Sequence, residues 1–274
     1  MRRGALVLVA AVVVGWLAMR TSLLNALLYF PSRSVDATPA AVGLEYRDVE
    51  FPTEDGERLH GWWVPAPSQP PQCHVLLFHG NAGSIADRVI HAKLLAEGGL
   101  DSFLFDYRGY GRSSGSPSES GTYSDARAAL AALRRQPGVS TGRIVYLGES
   151  LGGAVAVALA LEAPPLGLVL QSTFTSVRAM GRVHYPFLPS VLVPDAYPSL
   201  ERIGRLACPV LVMHGDRDEI VPLSEGQALH HAAAGPKRLQ VVRGAGHNDL
   251  VSVAGTAYGG AIASWARELA GPGF

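Results

Sequence analysis

Short apolar runs alternate with amphipathic stretches along most of this 274-residue chain, and this alternation constrains the fold more than any other feature. Unbroken apolar runs of this length are typical of parallel strands buried on both faces, and the amphipathic stretches between them predict covering helices. Six such runs occupy residues 74–80, 102–109, 143–148, 166–173, 208–215 and 237–244.

Upstream of these runs, "YRDVEF" and "TEDGERLHGWWV" predict two antiparallel strands joined around Asp55-Gly56. The whole pattern predicts an α/β fold with a mostly parallel eight-stranded sheet, covered on both faces by about six helices, the last near 248–270. Most strands end in Gly or Ser, at the carboxyl edge where open α/β sheets bind their ligands.

One segment, residues 174–207, interrupts the alternation. It contains "VRAMGRVHYPFLPSVLVPDAYPSL", which is rich in Pro and large apolar side chains and is longer than a plain crossover needs. We expect this insertion to form a lid or a wall near the active site. An ordinary packing insertion without substrate contact is the alternative.

Two serines, Ser113 and Ser150, lie in G-x-S-x-G matches. The stretch "SGSPSESG" after Ser113 predicts a flexible loop, whereas Ser150 lies between the strand "RIVYLG" and the helix-forming "GGAVAVALALEA". A strand, sharp turn and helix expose a strained serine, and they put the Leu151 amide at a helix N-terminus, where it can stabilise an oxyanion. We therefore interpret Ser150 as a nucleophile and Ser113 as a loop residue.

A nucleophilic serine needs a base and an orienting carboxylate, and both follow later strands. "VMHGDRDEIVP" puts Asp216 and Asp218 just past one strand, and "RGAGHNDL" puts His247 past the next. The order Ser, Asp, His is the one that this architecture requires. Spacing leaves the choice between Asp216 and Asp218 open, and we interpret His214 as a structural histidine.

The second oxyanion donor is expected in a loop after an earlier strand, and "LLFHGNAGS" supplies such a loop. The Asn81 amide is the first candidate and the Ala82 amide the second. A glycine-rich turn shaped for packing alone is the alternative. Glu149, beside the nucleophile, is interpreted as structural or as lining the rim of the site.

The amino-terminal region differs in composition from the remainder. Residues Gly4 to Met19 form a run without charge behind Arg2 and Arg3, and apolar residues resume up to Phe30. We predict an uncleaved membrane anchor and juxtamembrane segment in residues 1–33 and a catalytic domain in 34–274. The basic start favours a cytoplasmic N-terminus and an extracytoplasmic domain, and a cleaved signal peptide with a secreted product is the alternative.

Composition argues against several other classes of protein. The chain carries 23 basic and 23 acidic residues without a basic cluster interleaved with aromatics, so nucleic acid is not an expected partner. No metal-ligand spacing occurs among the nine histidines. Cys73 and Cys208 precede separate strands, and two buried thiols are favoured over a disulfide.

The combination of "FHGNAGS", "DYRGYGRSSG", "GESLGG", "HGDRDEIVP" and "GAGHND" resembles the Bem46-like branch of the α/β-hydrolase superfamily, as does "LLYFPSR" after the anchor. The resemblance covers nearly the whole chain. It implies that the acid falls in the D-x-x-V-P element, which is Asp218 here. Members of the family resemble carboxylesterases, thioesterases that deacylate proteins, and some peptidases.

We accordingly predict a membrane-anchored serine hydrolase that cleaves a carboxylic ester or thioester without a cofactor. Ser150, His247 and Asp218 would form its triad, with the amides of Leu151 and Asn81 as oxyanion donors. The expected substrate is a small or lipid-like acyl ester, or an acylated protein. A serine peptidase or acyltransferase is the alternative within enzymes, and a membrane-tethered binding protein is the alternative outside them.

Overall fold

A computed structural model of the protein describes residues 25–67 and 70–271. The chain separates into two compact units, Met1–Phe30 and Pro31–Phe274. The predicted anchor, Gly4 to Met19, lies outside the described residues. Within the described ranges, no helix combines the length and the apolarity that crossing a membrane requires.

The centre of the larger unit is an eight-stranded sheet. Its strands are β1 Arg47–Pro52, β2 Arg58–Val64, β3 His74–Phe78, β4 Asp101–Asp106, β5 Ile144–Glu149, β6 Gly167–Gln171, β7 Val210–Gly215 and β8 Lys237–Val242. Their spatial order is β8-β7-β6-β5-β3-β4-β2-β1, in which β2 pairs antiparallel with both β1 and β4 and all other pairs are parallel. The prediction of a mostly parallel sheet opened by a hairpin is confirmed.

Helices flank this sheet, as predicted. The α-helices in this part of the chain are α1 Val89–Glu97, α2 Glu119–Arg134, α3 Leu151–Glu162, α4 Val177–His184, α5 Ser199–Ile203, α6 Leu223–Ala232, α7 Leu250–Ala254 and α8 Thr256–Ala270. Helix α1 packs against α8, while α2, α3, α5 and α6 form a second contiguous layer.

Two predictions of local structure are wrong in detail. Helix α2 begins at Glu119, inside the predicted loop "SGSPSESG", because the Ser118 hydroxyl caps it by accepting a hydrogen bond from the Gly121 amide (3.1 Å). The predicted final helix is divided into α7 and α8 at Gly255, whose φ of 53° and ψ of −138° are incompatible with a continuous helix. The insertion adds α4 and α5 to the helices expected from the alternation.

The alternation of buried side chains along the strands explains the two helical layers. Val75 and Leu77 of β3 lie in one buried cluster with Leu95 of α1 and Trp265 of α8. The intervening residue Leu76 is equally buried and points to the other face, since successive side chains of a strand alternate. A strand that is apolar on both faces therefore requires helices on both sides.

Adjacent glycines in α8 give a test of the packing between α1 and α8. A Cβ at Gly259 would overlap the Leu94 carbonyl of α1, whereas a Cβ at the exposed Gly260 meets nothing within 4 Å. We expect Gly259→Ala to lower the free energy of unfolding by about 1–3 kcal/mol through overpacking. Gly260→Ala should raise it by about 0.5–1 kcal/mol, because Ala favours the helix. Urea unfolding of both variants checks this, and equal effects at the two positions would contradict the packing described.

Candidate active site

The turn between β5 and α3 holds Ser150 in a conformation that is rare for a residue with a side chain. Its φ is 52° and its ψ is −116°. A Cβ at Gly148 would overlap Gly153, and one at Gly152 would overlap the Phe78 carbonyl, so the backbones approach too closely for other residues. The tight turn carries Ser150 to the carboxyl edge of the sheet.

Three side chains meet at this edge from three different strand ends. His247 Nδ1 donates to Asp218 Oδ2 (2.8 Å), which leaves Nε2 as the acceptor that faces Ser150 Oγ (3.1 Å). Asp218 follows β7, His247 follows β8 and Ser150 follows β5. The arrangement can transfer a proton from the serine hydroxyl to an imidazole that a carboxylate orients.

Asp218 is held as an ionised acceptor. Its Oδ1 accepts hydrogen bonds from the amides of Ile220 (3.0 Å) and Val221 (2.7 Å), and its Oδ2 also lies 3.4 Å from His214 Nε2. Burial alone would raise the pKa of Asp218, but the hydrogen bonds to His214 and His247 outweigh burial and hold the pKa well below the usual range of a carboxyl.

The second aspartate of this loop has a different position. Asp216 Oδ1 accepts from the Gly244 amide (2.6 Å) and thereby ties the loop after β7 to the loop after β8. His214 donates from Nε2 to the Val221 carbonyl (2.8 Å), within the same loop. Sequence spacing did not decide which of the two aspartates contacts His247, and in the structure it is Asp218.

Ser113, the other motif serine, is fully buried away from these groups. Its hydroxyl donates to the Asp106 carbonyl (2.7 Å) and accepts from the His60 amide (3.0 Å). These two bonds tie its loop to β4 and β2. Ser113 thus makes structural hydrogen bonds in a well-packed loop.

The segment His79–Gly83 after β3, here named the oxyanion loop for the donor predicted in it, lies directly beside the turn that holds Ser150. A Cβ at Gly80 would be 3.6 Å from the Ser150 Cβ. Tyr110 Oη donates to the Asn81 carbonyl (2.7 Å) and His79 Nδ1 donates to the Gly80 carbonyl (2.7 Å). Leu151, the other predicted donor, is the first residue of α3, where helix amides have no partner within the helix.

Comparisons with known proteins bear on this arrangement. Residues 74–191 match the family model of the α/β hydrolase fold. The α/β hydrolase domain-containing protein WAV2 of Arabidopsis thaliana is 34% identical, over 81% of this chain and 80% of its own length. Protein bem46 of Schizosaccharomyces pombe is 35% identical, over 70% of this chain and 67% of its own. This chain belongs to the α/β-hydrolase family. It is a Bem46-like member, as its motifs predict.

Further similarities agree with this assignment. An uncharacterised protein of Mycobacterium tuberculosis is 48% identical to this α/β hydrolase, over 88% of the chain and 86% of the relative. Among solved structures, an esterase of Pyrococcus furiosus superposes with a TM-score of 0.72 at 24% identity, covering 87% of this chain and 97% of that one. At this level of identity the structural similarity establishes a shared fold.

A buried ion pair beside Ser150 is a feature of this α/β hydrolase that the sequence analysis missed. Arg88 Nε and Nη2 donate to the two carboxylate oxygens of Glu149, each at 2.9 Å. Burial opposes ionisation of Glu149, but the Arg88 charge outweighs it and lowers the pKa to about 2. Glu149 is therefore structural and does not line the rim. The position of Glu149, between buried strand residues and Ser150, is a sequence signal for this pair, because a buried carboxylate needs a cation nearby.

The insertion of this hydrolase approaches the loop that carries Asp218. His184, the last residue of α4, donates from Nε2 to the Ile220 carbonyl (2.8 Å). Several large apolar side chains that follow or precede it are exposed, among them Val183, Tyr185, Phe187, Leu188, Val191 and Leu192. A cavity of about 830 Å³ lies at the opposite edge of the sheet and is lined by residues such as Trp63 and Asp101, at the start of β4.

Two further features concern metals and thiols. Within residues 25–67 and 70–271, no cluster of three or more His, Cys, Asp or Glu side chains could hold a metal ion. Cys73 and Cys208 are both buried free thiols in this hydrolase.

Glu149 makes the stability of the fold sensitive to acid. Its pKa falls from 4.5 to about 2 on folding, so it stabilises the folded state above pH 4.5, and this stabilisation is lost as the pH falls towards 2. Protonation of Glu149 should lower the free energy of unfolding of the wild type by on the order of 2–3 kcal/mol between about pH 5 and 2. We expect this part of the decrease to be absent from Glu149→Gln. Urea unfolding over this pH range checks the prediction.

Glu268→Gln is the matched control, because Glu268 pairs with Arg238 (2.6 Å) on the surface, with side chains 51% and 49% exposed. It should leave the acid dependence unchanged. An identical acid dependence in wild type and Glu149→Gln would contradict the assignment of a lowered pKa to Glu149.

Proposed function

We propose that this α/β hydrolase is a serine esterase or thioesterase that works through an acyl-enzyme. The observation that carries the proposal is the hydrogen-bonded series from Ser150 Oγ to His247 and from His247 to Asp218. A series of this kind at a strained turn before a helix is suited to nucleophilic attack on an acyl carbon. No cofactor enters the proposal.

In the proposed acylation step, His247 Nε2 accepts the proton of Ser150 Oγ while Oγ bonds to the carbonyl carbon of the substrate. Asp218 stabilises the imidazolium that results. The amides of Leu151 and Asn81 donate to the oxyanion, with the Ala82 amide as the second candidate for the latter position. Collapse breaks the bond to the alcohol or thiol, which leaves with the proton from His247.

Deacylation repeats these steps with water as the nucleophile. His247 takes a proton from water as the hydroxide attacks the acyl carbon, and it then returns the proton to Ser150 Oγ as the carboxylic acid leaves. The preorganised helix N-terminus at Leu151 would serve both tetrahedral intermediates, because the oxyanion has the same position in each. The net reaction is hydrolysis of the ester or thioester.

The shape of the insertion favours an apolar acyl group or a lipid-like ester. Phe187 and Val191 are 81% and 75% exposed, and the adjoining His184 contacts the loop of the proposed acid. Apolar patches near a site are commonly binding surfaces. An acylated protein would present a similar acyl chain. The esterases of Pyrococcus furiosus, Rhodothermus marinus and Rhodococcus that share the fold are named for ester hydrolysis, which supports this class of substrate.

The location of the enzyme is part of the same proposal. The uncharged run from Gly4 to Met19 would anchor it in a membrane, with the N-terminus in the cytoplasm and the catalytic domain outside. An enzyme anchored in this way would meet lipid-like esters at the surface of the membrane. Secretion after signal cleavage is the alternative, and the mass of the N-terminal peptide of the mature protein distinguishes the two.

Two other functions remain as alternatives. A serine peptidase or acyltransferase would use the same proton transfer, and turnover of aminoacyl anilides above that of p-nitrophenyl esters would favour it. A membrane-tethered binding protein would have no need of the hydrogen-bonded series, and a folded protein that neither turns over esters nor reacts with a serine-directed probe would favour that function.

A fluorophosphonate probe tests the nucleophile directly. We expect wild-type protein to be labelled and Ser150→Ala to show no labelling, because the phosphorus bonds to the activated Oγ. Ser113→Ala is the matched control and should be labelled wherever it folds, since Ser113 makes structural hydrogen bonds. In-gel fluorescence with a circular dichroism check of folding measures this. Labelling that survives in Ser150→Ala and disappears in Ser113→Ala would overturn the assignment.

The apolar insertion gives a prediction on substrate length. We expect Phe187→Ser to lower kcat/KM for p-nitrophenyl decanoate about 5- to 30-fold and that for the acetate less than twofold, since a buried methylene contributes about 0.8 kcal/mol. Val241→Ser, at an exposed apolar position of β8, is the control and should change neither. Equal effects of Phe187→Ser on both esters would show that the insertion does not bind the acyl chain.

A further inference from the structure

The oxyanion loop has a sequence that by itself favours mobility, since it contains Gly80 and Gly83 within five residues. In the structure three successive carbonyls of this loop are nevertheless bound by side chains. His79 binds the Gly80 carbonyl and Tyr110 binds that of Asn81, and Arg88 Nη1 donates to that of Ala82 (3.1 Å).

These bonds fix the direction of the amides as well as that of the carbonyls. A trans peptide is planar, so the N–H of each following residue points away from the bound carbonyl oxygen. Holding the Gly80 carbonyl therefore orients the Asn81 amide, and holding the Asn81 carbonyl orients the Ala82 amide. The donors proposed for the oxyanion thus depend on what holds the loop.

Arg88 connects this loop with the nucleophile turn. Two of its nitrogens hold the carboxylate of Glu149, the residue directly before Ser150, while the third nitrogen, Nη1, holds the Ala82 carbonyl. The planar guanidinium makes these bonds in a rigid fork that a flexible ammonium cannot reproduce. One side chain thereby sets the spacing between the two halves of the proposed oxyanion site.

The surroundings leave this ion pair intact near neutral pH. Burial and the charge of Arg88 lower the pKa of His79 to about 3, and burial lowers the pKa of His91, near Glu149, to about 4. Both imidazoles are therefore neutral. Two other acids lie near Arg88. Asp87 is more exposed and more distant (3.7 Å), and burial raises the pKa of Asp106 to about 7. Buried ion pairs contribute little net stability compared with apolar packing, which favours a geometric role.

We infer that Arg88 and Glu149 are positioning residues, which hold the oxyanion loop at Gly80 and Ala82 and thereby keep the Asn81 amide between them in place relative to Ser150 and the Leu151 amide. Arg88 Nη1 binds the Ala82 carbonyl, and a Cβ at Gly80 would be 3.4 Å from both Arg88 Nη2 and Glu149 Oε1. The inference rests on the proposed function, since it assigns the pair to the oxyanion site of that reaction. Neither side chain contacts the reacting atoms. Their loss would displace a donor that acts mainly in the transition state, so kcat would fall and KM would change little.

Arg88→Lys and Glu149→Gln test this inference. The first keeps the positive charge and removes the planar guanidinium, and the second keeps the size and shape of the side chain and removes the negative charge. With p-nitrophenyl butyrate we expect kcat to fall about 10- to 100-fold in each and KM to stay within about threefold, since loss of one whole oxyanion donor costs about 10²–10³ in kcat. The double variant should be little worse than either single variant, because both break the same contact.

A trifluoromethyl ketone gives a readout that a general structural defect would not produce. It forms a tetrahedral adduct whose oxygen occupies the proposed oxyanion position, so its inhibition constant should rise in parallel with the loss of kcat/KM. Rates are normalised to active sites titrated with a fluorophosphonate. Arg238→Lys and Glu268→Gln, which alter an exposed pair of the same chemistry, are the controls and should match wild type.

Several outcomes would overturn the inference. One is an unchanged kcat in Arg88→Lys, and another is a loss that disappears after normalisation to titrated sites. Should one variant not fold, the other carries the test, and failure of both to fold would assign the pair to folding alone. Absence of turnover and labelling in wild-type protein would instead overturn the proposed function itself.

Discussion

The backbone conformation of Ser150 is the constraint on which the rest of the site depends. A positive φ at a serine costs free energy, and it persists only where the surrounding packing determines it. Here that packing is the close contact of α3 with β5, which excludes a Cβ at Gly148, and with the end of β3, which excludes one at Gly152. Because the chain reverses so sharply, Ser150 alone separates the end of β5 from the first residue of α3.

The parallel sheet turns this single constraint into a site. Strands that run in the same direction end at the same edge, so the loops after β3, β5, β7 and β8 meet there although they are distant in the chain. The last three of these places contribute a hydroxyl, a carboxylate and an imidazole, and the loop after β3 carries the amides proposed as oxyanion donors. The insertion contacts the loop after β7 through His184 and carries exposed apolar side chains.

Much of this arrangement could be predicted from the sequence, because buried parallel strands and a strand-turn-helix serine have local signals. Details that depend on tertiary contacts could not be predicted in this way. Spacing did not separate Asp216 from Asp218, since only the path of the loop decides which one meets His247. The pairing of Arg88 with Glu149 joins residues 61 positions apart and has no local pattern.

The boundaries of the helices likewise depend partly on local sequence signals and partly on tertiary contacts. The start of α2 follows from the Ser118 cap, a local signal that the loop composition around it obscured. The break at Gly255 depends on how the last helix meets the sheet. The roles of the site residues stay predictions, because geometry shows which atoms can exchange a proton and not which bond is cleaved.

In the proposed reaction, Ser150 carries the acyl group during turnover. Mass spectrometry of peptides after rapid acid quench with p-nitrophenyl butyrate detects that group. We expect a butyryl group on the peptide that contains Ser150, formed as fast as p-nitrophenol is released and lost when deacylation is complete. Turnover with that peptide unmodified, or with the butyryl group on another residue, would contradict it.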